Sequence, residues 1–440
     1  MAQADRTHAP PGRLSSLLRI EPGEWTRFLL AFAYFFCLLG SYFMLRPIRG
    51  TVAANHNEIL HLLYTGTFLS MLLLVPVFGF LVSRFRRGIF IPLSYGVFIL
   101  QLLWFAWSFT GAEPGDRTQI AFYIWLSVFN LFVVSVFWSF MADIFSPGQA
   151  QRLFGSIMAG GSIGAIFGPL VTAKFVDVLG GGGVMFLAAG GLSVATLLAI
   201  TLGRFEQRHG SGQGEKVIGG TILEGAVAVF RSPYLLLICL MMLCHNMTST
   251  FLYNGLATLV DAEIPGFAER TAFFSWVDLV VQVLAFTFQF FLTSRLLTAL
   301  GMPRTAIIPP LLLAAGLTLL GSSLGLVLFA AVQVAQRALN YGLLGPIKEM
   351  LFTVVDRQTK YKSKNFIDTV VYRGSDVVAS WIFKGYMTLG LGVHQAAFAY
   401  LPFMAAWAFG VWRLGKRYEL RRQALVELDE PSPPEEEKAG

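Results

Sequence analysis

Charge is what this chain lacks most. Of its 440 residues only 13% are Asp, Glu, Lys or Arg, about half the roughly 25% of a soluble globular domain. Hydrophobic residues make up 55%. A water-soluble chain so composed could not cover its own surface, which excludes most soluble enzymes. Cysteine is nearly as scarce. Cys37, Cys239 and Cys244 each fall inside an apolar run, with neither a disulfide framework nor a metal-ligand spacing, so they read as small core residues. No G-x-x-x-x-G-K-[ST] phosphate loop is present, which excludes an ATP-hydrolysing pump built that way. No catalytic constellation, cofactor motif or metal cluster appears, and the chain does not read as an enzyme. Gly180–Gly183 reads as a short turn rather than a phosphate cradle. His56, His61, His245 and His394 are scattered and form no relay. The net charge of +7 belongs, on so apolar a chain, in cytoplasmic loops rather than on nucleic acid.

What the chain has in abundance is long apolar runs. A bilayer crossing takes about 20 apolar residues. Twelve such runs lie near 26–50, 59–82, 89–110, 119–142, 153–176, 183–202, 233–260, 271–293, 305–322, 324–346, 366–390 and 393–413. They predict an all-α membrane protein with twelve transmembrane helices. Eleven spans come after the first, so the first reads as a retained helix and not a signal peptide. With the N-terminus placed inside, the inner loops hold fifteen Lys and Arg and the outer loops only Arg117 and Arg270. That asymmetry puts both termini in the cytoplasm. The expected organisation is a cytoplasmic N-terminal segment (1–25), a six-helix half (26–202), a cytoplasmic central loop (203–232), a second six-helix half (233–413) and a cytoplasmic, disordered tail (414–440). The halves echo each other. Phe80-Leu81-Val82-Ser83-Arg84 comes after span two and Phe291-Leu292-Thr293-Ser294-Arg295 after span eight, 211 residues later. A duplicated six-helix unit resembles the plan of the major facilitator superfamily, in which substrate binds between the halves near the midplane.

Two glycine-bearing motifs carry more detail. Gly79-Phe80-Leu81-Val82-Ser83-Arg84-Phe85-Arg86-Arg87 resembles that superfamily's G-x-L-x-D-R-x-G-R-R loop, with Ser83 in place of the acid and Arg86 in place of the second glycine. It reads either as inner-face anchoring or as a latch between helix ends. In span five, Gly155, Gly164, Gly168 and Pro169 resemble the fifth-helix motif of proton-coupled antiporters, while Gly160, Gly164 and Gly168 form a small-residue stripe that lets helix backbones approach closely.

Ionisable residues inside spans are costly in lipid and are functional candidates for that reason. Their spacing places them in stripes. Tyr42, Arg46 and Arg49 share one face of span one. Asn246, Thr250 and Asn254 do so on span seven, Asp278, Gln282 and Gln289 on span eight, and Gln333, Arg337 and Asn340 on span ten. Thr369, Arg373, Asp376, Ser380 and Lys384 line span eleven. The arginines outnumber the aspartates, and an excess of fixed positive charge selects anions. Guanidinium groups suit phosphate and carboxylate bidentately. Substrate-binding candidates are therefore Tyr42, Arg46, Arg49, Asn246, Asp278, Gln282, Arg337, Asn340, Arg373 and Asp376. The arginines would hold the anionic groups, Asp278 and Asp376 would pair with them in the empty site, and Tyr42, Asn246, Gln282 and Asn340 would meet the neutral part.

Several segments resemble the ATP/ADP translocase family of nucleotide exchange transporters and its bacterial relatives. They are Tyr42 to Arg49, Phe137 to Asp143 with Ala150 to Phe154, Ser275 to Asp278, Lys348 to Phe352 with Tyr361 to Lys364, and Ile367 to Gly374. The resemblance implies a facilitator fold, nucleotide exchange across the bacterial inner (plasma) membrane, and basic residues in helices one and eleven needed for binding, by position Arg49 and Arg373. The family's acidic residues in helices four and seven have no counterpart, since Ser127, Asn130, Thr248 and Thr250 occupy those helices. The leading expectation is a secondary transporter of ATP/ADP-like nucleotides or related phosphorylated organic anions, working by alternating access in the lipid bilayer. Proton-coupled antiport of another organic anion or lipophilic compound is one rival, and a non-transporting membrane scaffold is the other.

Overall fold

The computed structural model describes residues 20–21, 23–84, 87–111, 114–209, 222–323 and 325–429. Outside them lie residues 1–19 and 430–440, residues 210–221 of the expected central loop, and Phe85 and Arg86 of the loop motif. The described residues are mostly helical, with no strand among them. In order come α1 (Trp25–Asn55), a 3-10 turn (Asn57–Ile59), α2 (Leu60–Arg84), α3 (Arg87–Ser108), α4 (Asp116–Ile144), α5 (Pro147–His209), α6 (Ile222–Arg231), α7 (Pro233–Glu263), α8 (Phe267–Thr287), α9 (Thr293–Ser322), α10 (Leu326–Leu339), α11 (Gly345–Leu351), α12 (Arg357–Phe366), α13 (Tyr372–Thr388), α14 (Val393–Ala399) and α15 (Leu401–Asp429). The described residues of the twelve apolar runs lie mainly on helix.

Among the described residues, seven helical stretches are long and apolar enough to cross a membrane. Two of these, Gly148–Phe205 and Phe267–Ser322, run 58 and 56 residues, enough for two crossings each. Each is broken at a glycine in the left-handed region, Gly180 (φ 66°) and Gly301 (φ 75°), a conformation a Cβ would oppose. Three π-helical turns interrupt the later helices, at Phe288–Leu292, Asn340–Leu344 and Ile367–Val371. Large apolar side chains line outer helix faces, with Leu73 and Leu100 each 70% exposed, as a chain solvated by lipid requires.

The chain divides into two compact units. The first comprises Met1–His56, Leu69–Lys216 and Ile264–Gln282. At its centre α1 runs parallel to the first arm of α5. A Cβ on Gly160 would meet the Phe32 carbonyl oxygen at 2.7 Å and one on Gly168 that of Gly40 at 2.6 Å, and between them a Cβ on Gly164 would press closer still on the Phe36 carbonyl. Thr172 continues the row by donating to the Met44 carbonyl at 3.0 Å. Every partner in this row is 128 residues from its mate. The small-residue stripe is thus a packing surface, and only glycine fits there. Around it Phe35 stacks on Phe137 at 4.1 Å, and the buried hydroxyls of Tyr34 and Tyr95 bond to each other.

The second unit comprises Asn57–Phe68, Val217–Glu263 and Val283–Gly440. Here α7 runs parallel to α13 and is tied to it by polar side chains. Asn246 donates to the Tyr372 carbonyl at 3.1 Å, Thr250 to Asp376 at 3.1 Å and Asn254 to Ser380 at 3.2 Å, every pair 126 residues apart. The core behind them is aromatic, with Phe251 stacked on Tyr400 at 4.5 Å.

Candidate functional site

In the first unit the basic stripe of α1 occupies a distinctive position. From Gly40 to Ala54 every residue is buried except Tyr42, Arg46 and Arg49. The i, i+4, i+7 face is therefore the one face of this stretch that packing leaves open. Arg46 lies 3.8 Å from the buried carboxylate of Asp278 on α8. Arg49 donates from Nε to the Tyr123 carbonyl at 3.4 Å and stacks over the Tyr123 ring at 3.8 Å. Stacking occupies the flat face of a guanidinium and keeps its N–H edge for an in-plane acceptor. Tyr42 packs edge-on against Phe43. Gln282 is half-buried, with its Nε2 lacking an acceptor.

In the second unit Arg373 lies 3.7 Å from Asp376, three residues along α13, and Asp376 also accepts from Thr250. Arg337 is half-buried in the last turn of α10, and Asn340 opens the π-helical turn after it. Asn246 turns its amide nitrogen onto the Tyr372 carbonyl, and Thr250 and Asn254 likewise donate to α13. The stripe of span seven is thus, in this structure, the glue between α7 and α13. The candidates fall into two sets. Tyr42, Arg46, Arg49, Asp278 and Gln282 lie in the first unit; Asn246, Arg337, Asn340, Arg373 and Asp376 lie in the second. Each set holds two arginines and one aspartate, a surplus of one positive charge.

Sequence reasoning missed a polar knot in the first unit. Thr51 bonds to Thr271 at 2.8 Å, Asn55 donates to Gln119 at 3.1 Å, and Arg270 donates to Asn55 and to the Ile264 carbonyl, both at 2.6 Å. Arg270, expected in an outer loop, is a buried residue of α8. With Arg46 and Asp278 these contacts form an antiparallel seam between α1 and α8. The signal available was Thr51 and Asn55, two polar residues four apart at the end of an apolar helix. At the other end of α1, Glu24 is capped by Arg152 at 3.0 Å and Gln149 at 2.8 Å. Burial acts to raise the Glu24 carboxyl, but the Glu21 amide and these side chains outweigh it and hold it below the ordinary glutamate value.

The family model of the Major Facilitator Superfamily matches residues 27–347 of the 440. The chain belongs to that superfamily. It is thus a multi-pass membrane protein of a transporter superfamily. A curated relative, ADP,ATP carrier protein 1 of Chlamydia muridarum (strain MoPn / Nigg), is 23% identical over 338 residues, 67% of this chain and 62% of the relative. The match thus spans under two thirds of that relative's length. Among solved structures, the nucleoside transporter NupG superposes with a TM-score of 0.60 at 13% identity, covering 91% of this chain and 99% of that one. The D-xylose-proton symporter gives 0.61 at 14%, covering 89% and 98%. The POT family transporter PepTSo gives 0.57 at 14%, covering 92% and 99%. These likenesses establish the facilitator fold. Within it, the segment Lys348 to Phe352 is tied to the start of span eleven by Lys348 to Asp368 at 3.0 Å, and to the segment before that span by Lys364 to Glu349 at 2.6 Å. Among the described residues no group of three or more His, Cys, Asp or Glu could hold a metal.

Proposed function

We propose that this chain is a secondary transporter of organic anions, with nucleotides or related phosphorylated metabolites as the substrate class. It works in the bacterial inner membrane with both termini cytoplasmic. Alternating access would come from two six-helix halves, 26–202 and 233–413, that expose the site to one side and then the other. The observation that carries the reading is the open face of α1, where packing buries all of 40–54 except Tyr42, Arg46 and Arg49. Arginines at membrane depth are costly, and in transporters they mark substrate pathways. Arg46, Arg49, Arg337 and Arg373 take the anionic groups of the substrate. Asp278 and Asp376, within 4 Å of Arg46 and Arg373, neutralise those arginines when no substrate is bound. The similarity to an ADP,ATP carrier supports nucleotides as the first substrates to try.

The test is uptake of labelled ATP, ADP and simpler anions into proteoliposomes, with and without internal nucleotide and with and without a pH gradient. Stimulation by internal nucleotide is the expected result. Flux that depends on the gradient alone would replace exchange with proton coupling, and absence of flux for every solute would leave a scaffold. Arg337→Ala and Arg373→Ala are expected to weaken apparent substrate affinity about tenfold or more each, as loss of a charge-assisted bond implies. Unchanged affinity in both removes the site assignment.

A further inference from the structure

The second unit contains a cavity that the anion reading does not use. It encloses about 380 Å³ and is walled by the 3-10 turn before α2, by α7 and by α13. Eight of its eleven lining residues are polar. Two ionised groups of opposite sign face it, Glu58 from the turn and Lys384 from α13. Among the described residues neither makes a hydrogen bond or an ion pair through its charged group, with each other or with anything else. A third wall residue, Asn254, is fully buried, and its Oδ1 has no donor. The walls are held in place. His61 packs edge-on against Trp381 at 4.5 Å, and the Trp381 indole donates to Thr65 at 3.2 Å.

We propose that this cavity is a binding site for a small zwitterion, a molecule carrying one carboxylate and one ammonium group. Lys384 takes the carboxylate and Glu58 the ammonium, while Asn254 offers its acceptor to the ligand's N–H or O–H groups. The argument is electrostatic. A cavity with separated charges of both signs attracts a ligand whose own charges are separated in the complementary sense. A bare anion would meet Glu58 as well as Lys384, and a bare cation would meet Lys384 as well as Glu58, so each half-ligand is penalised by one wall. This site is separate from the arginine candidates and does not depend on what they bind.

The experiment uses the full chain in lipid nanodiscs and isothermal titration calorimetry. The probes are 4-aminobutyrate, 5-aminopentanoate and 6-aminohexanoate, which step the separation of charges, against the half-ligands butyrate and butylammonium. The expected result is that at least one of the three binds about tenfold or more tightly than both half-ligands. Lys384→Met and Glu58→Gln should each abolish that preference, and Lys384→Arg should retain it. Glu58 is exposed, so its variant is expected to keep the wild-type melting temperature even if Lys384→Met unfolds. A half-ligand that binds as tightly as the best zwitterion, a preference that survives Glu58→Gln, or no saturable binding of any probe overturns the proposal.

Discussion

The glycines of span five separate two readings of one motif. Gly155 and Gly168 both belong to the pattern that resembles an antiporter's fifth helix, yet their surroundings differ. A Cβ on Gly168 would sit 2.6 Å from the Gly40 carbonyl oxygen and 2.9 Å from the Met44 nitrogen. An ordinary carbon–oxygen contact is about 3.3 Å, so the overlap with the carbonyl alone exceeds half an ångström. The obstructing atoms are helix backbone, and relief requires α1 and α5 to separate as rigid bodies. Overpacking of that kind costs about 1–3 kcal/mol, here at the upper end. Replacing a helical glycine by alanine returns about 1 kcal/mol. Gly168→Ala should therefore destabilise by about 2 kcal/mol. Gly155 has nothing within 4 Å of a Cβ, so Gly155→Ala should stabilise by about 1 kcal/mol. Thermal melts in one detergent, read beside transport in proteoliposomes, measure both. Equal melting shifts in the two variants would refute the packing argument. Equal loss of transport with no change in melting would show instead that the motif acts as a unit in coupling.

The charged contacts supply two further outcomes. Breaking a buried ion pair costs about 3–5 kcal/mol; Arg46 is 22% exposed and 3.8 Å from Asp278, and Asp278→Arg or Arg46→Asp alone sets two like charges side by side, so each should cost at least about 3 kcal/mol. The exchange of both should recover most of that loss, and a coupling in the double-mutant cycle below about 0.5 kcal/mol would show that the two do not act as a pair. Glu24 has a depressed carboxyl in the fold, so its stabilising contribution is present above the unfolded value of about 4.3 and disappears as pH falls through the lower folded value. Glu24→Gln should flatten the acid limb of the melting temperature below about pH 5, where that loss begins; an unaltered acid limb contradicts the assignment.

Much of the architecture was legible because bilayer physics writes it plainly. The apolar runs appear as helix, with seven stretches among the described residues long and apolar enough to cross, since backbone groups in hydrocarbon must be satisfied within the segment. The glycine stripe was legible because i, i+4 spacing places small residues on one face. The stripe of α1 was legible for the same reason, and burial shows that Tyr42, Arg46 and Arg49 share the open face. The stripe of α7 shows where this reasoning stops. Spacing fixes which residues share a face but not what covers it, and the cover is α13. The π-helical turns were invisible, because each adds a residue to a turn through backbone bonding rather than composition. One of them, Asn340–Leu344, begins at a candidate residue and shifts the register of the helix beyond it. Arg270 was misplaced because the apolar run begins at 271 while α8 starts four residues earlier, at Phe267.

The internal echo goes deeper than a five-residue match between the halves. The row joining α1 to α5 has a constant offset of 128 residues, and the row joining α7 to α13 one of 126. The turn after each second partner contains a glycine in the left-handed region, Gly180 at φ 66° and Gly390 at φ 76°. The two rows solve one packing problem with different chemistry. Small residues bring α1 and α5 into direct backbone contact, which leaves no polar side chain to exchange partners except Thr172. Amides, hydroxyls and a carboxylate hold α7 to α13, and such groups can trade a helix partner for water or solute at little net cost. The dry row gives α1 a fixed platform from which Arg46 and Arg49 project. The polar row places Asp376, the neighbour of Arg373, among groups whose hydrogen bonds can be remade. If the chain duplicated and then diverged, the fixed arginines belong to one copy and the adjustable ones to the other.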